Sequence, residues 1–199
     1  VQRLLEECFR RGIMPIYLSS DGVFDGLKGD YCEEDDRIPV NKYGQIRKEV
    51  EDFLRSSKRQ FLILRIGRVF DTEQNSTTLL MGLKKDLQAG LTLKVAVDQW
   101  FTPIHLDDLF FLLHFLLQKK CVGIYHLASL SRISRFDLAQ AIKQFFNLHH
   151  ASLIPTKINS FNFMEQRPQD TSLNIKKIRE ITGFQPRPLE FFLQKMMGK

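Results

Sequence analysis

Apolar runs of strand length alternate with amphipathic stretches of helix length from one end of this chain to the other, and that alternation limits its fold more than any other feature. Strands joined by crossover helices pair in parallel, and a parallel sheet needs helices on both faces. The spacing predicts a helix over residues 1–11, with Leu4, Leu5, Cys8 and Phe9 on one side and Gly12 ending it, then a short strand over 13–19. Residues 20–40, punctuated by glycine and proline, read as a long loop. A charged helix follows over 43–56, turning Ile46, Val50, Phe53 and Leu54 inward, and 60–69 is the next buried strand. The pattern continues with a helix over 77–88, a strand over 91–97, a strongly apolar helix over 106–118 and a strand over 123–127. Ser134 caps a helix over 134–146 whose inward stripe is Leu138, Ala141, Ile142 and Phe145, and two short helices end the chain over 175–182 and 189–197. The fold class is therefore α/β with a mostly parallel sheet.

Composition narrows the function classes. A hydrophobic content of 43% in 199 residues is that of a soluble globular protein with one sizeable domain or two small ones. The longest apolar run, residues 109–117, is about half the length that crosses a bilayer, and the N-terminus shows no signal-peptide pattern, so no membrane partner is expected. Cys8, Cys32 and Cys121 are odd in number and form no C-x-x-C pair, which reads as free thiols and a cytoplasmic location. The net charge of +6 comes from bases interleaved with acids, so no nucleic-acid partner is expected, while an anionic small ligand such as a nucleotide diphosphate is compatible with it. His105, His114, His126, His149 and His150 have no metal-ligand spacing, and no metal site is expected. The acids at 33–36 read as a solvated loop. No G-x-S-x-G elbow for a hydrolase is present.

A doubly wound sheet that binds a dinucleotide opens with a strand and a glycine-rich turn. The eleven glycines contain no G-x-G-x-x-G, and the pair Gly26 and Gly29 leads into acids, which repel phosphate. A different feature carries chemistry. Tyr43 begins the helix over 43–56 with Arg47 four residues on, hence on the same face. A phenol with a pKa of about 10 donates or accepts a proton near neutrality only beside a cation that favours its phenolate. A buried ring beside a solvated arginine has the same spacing. Trp100 and Phe101, with Gln99 and Thr102, line a ligand pocket or simply pack, and Arg167 before Pro168 is either a diphosphate partner or a surface arginine.

The strand Ile16-Tyr-Leu-Ser-Ser runs into Asp21-Gly-Val-Phe-Asp-Gly26, and Tyr31, Glu33-Glu34 and Pro39 precede Tyr43-Gly44. This order resembles the dTDP-4-dehydrorhamnose reductase family of extended short-chain dehydrogenase/reductases, in which a strand ending Ser-Thr-Asp-Tyr-Val-Phe-Asp-Gly precedes Asn-x-Tyr-Gly-x-x-Lys. Leu64-Arg65, Asp98-Gln99, Thr102-Pro103, Asp107-Asp108-Leu109, Gly123-Ile-Tyr-His-Leu-Ala128, Phe136-Asp-Leu-Ala139 and Arg167-Pro168 agree in order and spacing.

The resemblance implies the C-terminal part of a Rossmann-like doubly wound parallel sheet plus a small α/β substrate-binding subdomain, with 1–130 mainly the former and 131–199 mainly the latter. It implies NADP- or NAD-dependent reduction of a nucleotide-linked 4-keto sugar, as in dTDP-rhamnose biosynthesis. Tyr43 would then be the proton donor, Ser20 the hydroxyl that positions the carbonyl, and Arg47 the occupant of the lysine position. Tyr43 and Arg47 would meet the cofactor, and Asp21, Gln99, Trp100 and Arg167 the substrate. Two positions depart from the family. Arg47 replaces a lysine whose ammonium a planar fork does not match, and Lys48 points about 100° away. Gly22 replaces a tyrosine, which removes a ring and loosens the loop. These departures also fit a non-catalytic regulatory or scaffold subunit of the same fold, like the regulatory subunit of methionine adenosyltransferase; an epimerase or dehydratase shares the tyrosine chemistry. The nucleotide-binding half of the pattern is absent, so an N-terminal half or a partner chain is expected against an exposed apolar sheet edge, and a homo-oligomer is compatible.

Overall fold

The computed structural model describes residues 1–197. Helix α1 (Gln2–Arg10) leads into β1 (Ile16–Ser20), and a single 3-10 turn, Asp21–Val23, follows. After a long loop come α2 (Lys42–Ser56), β2 (Leu62–Ile66) and β3 (Arg68–Phe70), then α3 (Leu79–Gln88), β4 (Thr92–Ala96), β5 (Trp100–Phe101) and β6 (Pro103–His105). The chain continues through α4 (Leu106–Gln118), β7 (Gly123–Leu127), β8 (Ile133–Ser134), α5 (Arg135–Phe145) and β9 (Ser152–Thr156), and closes with α6 (Lys176–Thr182) and α7 (Leu189–Met197).

β1, β2 and β7 pair in parallel in that order, with Leu18, Leu64 and Tyr125 in register. Successive residues of β2 face opposite sides of the sheet. Ile63 packs with Leu5, Val50 and Leu54 of α1 and α2, whereas Leu62 and Leu64 pack with Leu112 and Leu116 of α4 and Ile178 of α6. Burial on both faces explains why β2 opens with three consecutive apolar residues, Leu62, Ile63 and Leu64, and each fully buried leucine in it contributes about 1.5–3 kcal/mol. This is the doubly wound α/β arrangement that the alternation predicts.

Several local expectations change. The strand over 60–69 is two strands, broken at Gly67, where a Cβ would stand 2.3 Å from the Thr102 carbonyl oxygen. Beyond that close approach β3 leaves the sheet and pairs in parallel with β6. Residues 152–156, for which no element was named, pair in parallel with β4 in a two-stranded sheet that leaves Pro155 an edge position. β5 and β8 are an antiparallel pair of two residues each, too short to leave a period in the sequence. Ile46 and Leu4, placed on inward stripes, are 48% and 66% exposed because no described element covers them. Glu33, placed in a solvated loop, is buried, for a reason given below.

The second lobe has its own core, in which Phe70 of β3, Leu80 and Leu87 of α3, Leu138 and Ile142 of α5, and Phe192 and Leu193 of α7 meet. Among the described residues β1 pairs only with β2, and Ile16 and Leu18 on it are 41% and 50% exposed. Among the described residues, no helix is long and apolar enough to cross a membrane.

Candidate active site

Ser20, Asp21, Tyr43, Arg47, Gln99, Trp100 and Arg167 all line one cavity of about 480 Å³. It lies beyond the C-terminal ends of β1 and β2, the place where open α/β sheets bind ligands, and the second lobe closes its far side. Phe101, which the sequence offered beside Trp100, lines it too, and so do Arg68, Asn41 and Thr171, which sequence reasoning did not single out.

β1 delivers Ser20 at its last position, where the hydroxyl caps the turn that follows. Ser20 Oγ accepts from the Gly22 N–H (3.1 Å) and donates to Asp21 Oδ1 (2.8 Å). Asp21 Oδ2 accepts in turn from Thr171 Oγ1 at 2.8 Å, tying the turn to the C-terminal segment. Burial raises the Asp21 pKa, against the opposing pull of Thr171, Ser20 and the Arg68 charge. Gly22 therefore sits in a defined turn rather than a loosened loop. Its missing side chain makes room for a different ring: a Cβ there would lie 3.3 Å from Tyr43 Cδ1 and 3.5 Å from Ser20 Oγ.

Helix α2 starts at Asn41, whose Oδ1 accepts from the Gly44 N–H (2.9 Å), so Tyr43 falls in the first turn. Gly44 allows that turn to pack backbone against backbone, since a Cβ at 44 would stand 2.0 Å from the Gly22 carbonyl oxygen. Tyr43, Arg47 and Glu51 are spaced by four and form one stripe along α2 that runs from the cavity into the core. Tyr43 is 52% exposed, at the cavity wall. The Arg47 guanidinium lies between two rings, 5.0 Å from the Tyr43 centroid and 5.8 Å from that of Tyr17. It donates to the Leu18 carbonyl (3.1 Å) and to Tyr17 Oη (3.4 Å). Leu62 donates to the carbonyl of Pro15, so alternate carbonyls of β1 face β2 and that of Leu18 faces the unpaired edge, where Arg47 meets it. Lys48 points elsewhere and pairs with Asp52 at 2.7 Å.

The inner end of that stripe is a buried ion pair. Arg65 and Glu51 are both fully buried, with Arg65 Nη2 donating to Glu51 Oε2 at 2.8 Å and Nε bridging both carboxylate oxygens at 3.1 and 3.2 Å. Ser19 Oγ donates to Glu51 Oε1 (2.5 Å), and Arg65 Nη1 donates to the Glu33 carbonyl (3.1 Å) and to His126 Nε2 (3.2 Å). Glu33 is buried because its carboxylate accepts from the His126 backbone N–H at 3.0 Å. Thus loop 31–39, α2, β1, β2 and β7 are joined beneath the cavity. An arginine inside an apolar strand and a glutamate four residues past Arg47 were the available signals.

Arg65 donating to Nε2 fixes His126 as the Nδ1–H tautomer, whose proton goes to the Asn174 carbonyl at 3.2 Å. Burial first, and then the Arg65 charge, push its pKa down to about 3. A histidine held neutral in the fold binds fewer protons than the unfolded chain below its ordinary pKa, so its contribution to stability falls as pH drops below about 6.5, by about 1.4 kcal/mol per unit. Denaturant titrations at pH 7 and 5 should show about 2 kcal/mol more acid loss in the wild type than in His126→Gln; equal losses would contradict the neutral assignment.

The C-terminal segment completes the wall. Trp100 donates its backbone N–H to the Gln169 carbonyl, and Thr171 donates back to the Trp100 carbonyl at 3.0 Å, which holds Arg167 and Pro168 over the cavity. Gly26 permits this, since a Cβ there would stand 2.4 Å from Pro168 Cβ.

The model of the RmlD substrate binding domain family matches residues 1–199. The methionine adenosyltransferase 2 subunit beta of Rattus norvegicus is 26% identical over 98% of this chain, and the chain spans 60% of that relative. The dTDP-4-dehydrorhamnose reductase of Aggregatibacter actinomycetemcomitans is 30% identical over 94% of the chain, which covers 67% of it. A solved dTDP-4-dehydrorhamnose reductase of Bacillus anthracis str. Ames, in complex with NADP, shares the fold, with a TM-score of 0.83, 21% identity and coverage of 94% of this chain and 66% of that one. With its fold, the cavity at its strand ends and a family model matched from end to end, this chain belongs to the RmlD substrate binding domain family, the dTDP-4-dehydrorhamnose reductase-like proteins.

Proposed function

We propose that this chain is the catalytic and substrate-binding part of a longer, cytoplasmic, NADP- or NAD-dependent reductase that acts on a nucleotide-linked 4-keto sugar. The observation that carries the reading is the pairing of Ser20 and Tyr43 across Gly22 in one cavity. A carbonyl placed there meets a serine hydroxyl that orients its oxygen and a phenol that delivers a proton to it. A bound nicotinamide dinucleotide would supply the hydride. Tyr43 and Arg47 at the cavity wall suit its nicotinamide end, while its pyrophosphate has no glycine-rich turn in this chain. Residues 1–130 then provide the sheet and the reacting groups, and 131–199 mainly the substrate lobe. The missing nucleotide-binding strands, from a longer parent or a partner chain, would pair along the outer edge of β1. The permanent Arg47 cation, 5.0 Å from the Tyr43 centroid, stands beside the proton donor in the place of the family's lysine.

One observation favours a non-catalytic subunit instead. Arg47 directs its Nη1 to the Leu18 carbonyl and Tyr17 Oη, and a methionine adenosyltransferase 2 subunit beta is among the relatives. The two readings separate on the full-length protein supplied with NADPH and a dTDP-linked 4-keto-6-deoxy sugar. The reductase reading expects loss of NADPH absorbance with formation of the hydroxy sugar. Tight NADP binding without turnover on any nucleotide-linked keto sugar would transfer the protein to the second class.

A further inference from the structure

Helix α2 carries Tyr43 in its first turn, where backbone N–H groups have no partner within the helix. Two of them are met from opposite ends of the sequence. Asn41 Oδ1 accepts from the Gly44 N–H at 2.9 Å, and Glu165 Oε2, 123 residues from its donor, accepts from the Lys42 N–H at 3.2 Å. The other end of the Asn41 amide, Nδ2, donates to the Gln166 carbonyl at 3.2 Å. One side chain therefore holds the turn of the tyrosine with its oxygen and the segment that carries Arg167 with its nitrogen.

That segment is anchored at both feet. Ile158 donates its N–H to Asp98 Oδ1 at 2.7 Å, and at the far foot Gln169 is held by Trp100 while Pro168 is seated against Gly26. Residues 159–167, between the feet, belong to none of the hydrophobic cores of the described residues. Phe161 and Phe163 stack on each other at 5.5 Å, Met164 is fully exposed, and the segment borders a space of about 180 Å³ lined by its own residues. Both bonds to α2 are also exposed, so water competes for them. A stretch with few buried contacts and solvent-exposed hydrogen bonds opens at low free-energy cost. Asn41, Tyr43, Arg167 and Pro168 all line the cavity, which places the two bonds at its rim.

We propose that residues 159–167 are a lid, latched to the start of α2 by Asn41 and Glu165, and that Asn41 is a positioning residue that passes lid closure on to the Tyr43 turn. The proposal rests on reading the cavity as a nucleotide-linked sugar site. A ligand that engages Arg167 holds the lid down, and the Gln166 carbonyl then fixes the Asn41 amide. A fixed amide holds the Gly44 N–H, and with it the turn that aims the phenol. With the lid open, the amide is free to turn toward water. The proton donor is thus firmly placed only while the substrate is covered and water is excluded.

Hydrogen exchange on the full-length protein reads the latch without any turnover. Adding dTDP to the wild type should slow exchange about two- to tenfold, both over 159–167 and at the amides of 42–45. Asn41→Ser keeps a hydroxyl cap for Gly44 but is too short to reach Gln166, and Glu165→Ala removes the second bond. In the free protein each should speed lid exchange about two- to tenfold, the shift that one exposed hydrogen bond gives an equilibrium, and Asn41→Ser should abolish the dTDP effect at 42–45. Glu165→Gln keeps an acceptor for Lys42 and should exchange as the wild type does. In turnover, Asn41→Ser should lower kcat about three- to tenfold at an unchanged melting temperature, whereas Glu165→Ala should mainly raise KM. Lid exchange unchanged in both latch variants would overturn the proposal, as would a dTDP effect at 42–45 that survives Asn41→Ser, or a wild type in which dTDP slows neither region. If Asn41→Ser does not fold, the exposed Glu165 carries the test. A protein that unlatches as expected yet never oxidises NADPH retires the reductase reading and keeps the lid. One that reduces the keto sugar, with Asn41→Ser at wild-type exchange and wild-type kcat, does the reverse.

Discussion

Replacing Glu51 by leucine should lower the stability of this protein by about 3–5 kcal/mol, the cost of stranding a buried cation. Arg65 would keep only the Glu33 carbonyl and His126 Nε2 as partners, in a site with no exposed surface. Ser19 and Arg37 would lose an acceptor at the same time. Domains of this size are stable by about 5–15 kcal/mol, so the single variant should sit close to unfolding. The double variant Glu51→Leu with Arg65→Met should recover most of the loss, because apolar residues of similar volume replace a buried pair at little net cost. Urea titrations of the four members of that cycle measure the coupling directly. A single variant within about 1 kcal/mol of the wild type would mean that Arg65 reaches water, against its full burial. The pair also matters for position. Ser19 precedes Ser20, and Glu51 is two turns along α2 from Tyr43, so one carboxylate sets the strand end against the helix start.

The second large effect concerns turnover. In the full-length protein, Tyr43→Phe should reduce kcat with a nucleotide-linked 4-keto sugar by about a hundred- to ten-thousandfold, the range over which a positioned proton donor acts. KM should move little, because the ring remains packed against Gly22 and only the phenol oxygen is removed. The fold should not change, since Tyr43 is half exposed and α2 is capped by Asn41 rather than by the phenol. Arg47→Lys separates two parts of the arginine's work. An ammonium keeps the charge beside Tyr43 but cannot hold the Leu18 carbonyl and stack between two rings, so retained turnover with reduced stability is the expected outcome. Steady-state NADPH oxidation measures both. A Tyr43→Phe protein as active as the wild type would remove the tyrosine from the chemistry.

The parts of this molecule that sequence makes legible are those fixed by local periodicity. Burial on both faces wrote β2 as an apolar run, and α2 and α5 carry caps and stripes that place them within a residue or two. The seven candidate residues come from four separate segments and line one cavity. What stayed hidden is set by contacts between distant segments. β5 and β8 hold two residues each, β9 carries a proline that its edge position tolerates, and Gly67 splits the expected strand over 60–69 because the Thr102 backbone lies against it. Glu33 looked like part of a solvated acidic loop because its partner, the His126 amide, is 93 residues away.

The pairing of β4 with β9 and of β5 with β8 has a consequence for heredity. Each half of these ladders lies on a different side of residue 130, so a genetic crossover near that point would hand descendants a strand without its mate on either side. The second lobe cannot be exchanged as a cassette. New specificities in such a lineage have to arise by substitution around the cavity, one side chain at a time, and a tryptophan, a phenylalanine and three arginines are the positions where that history should be recorded.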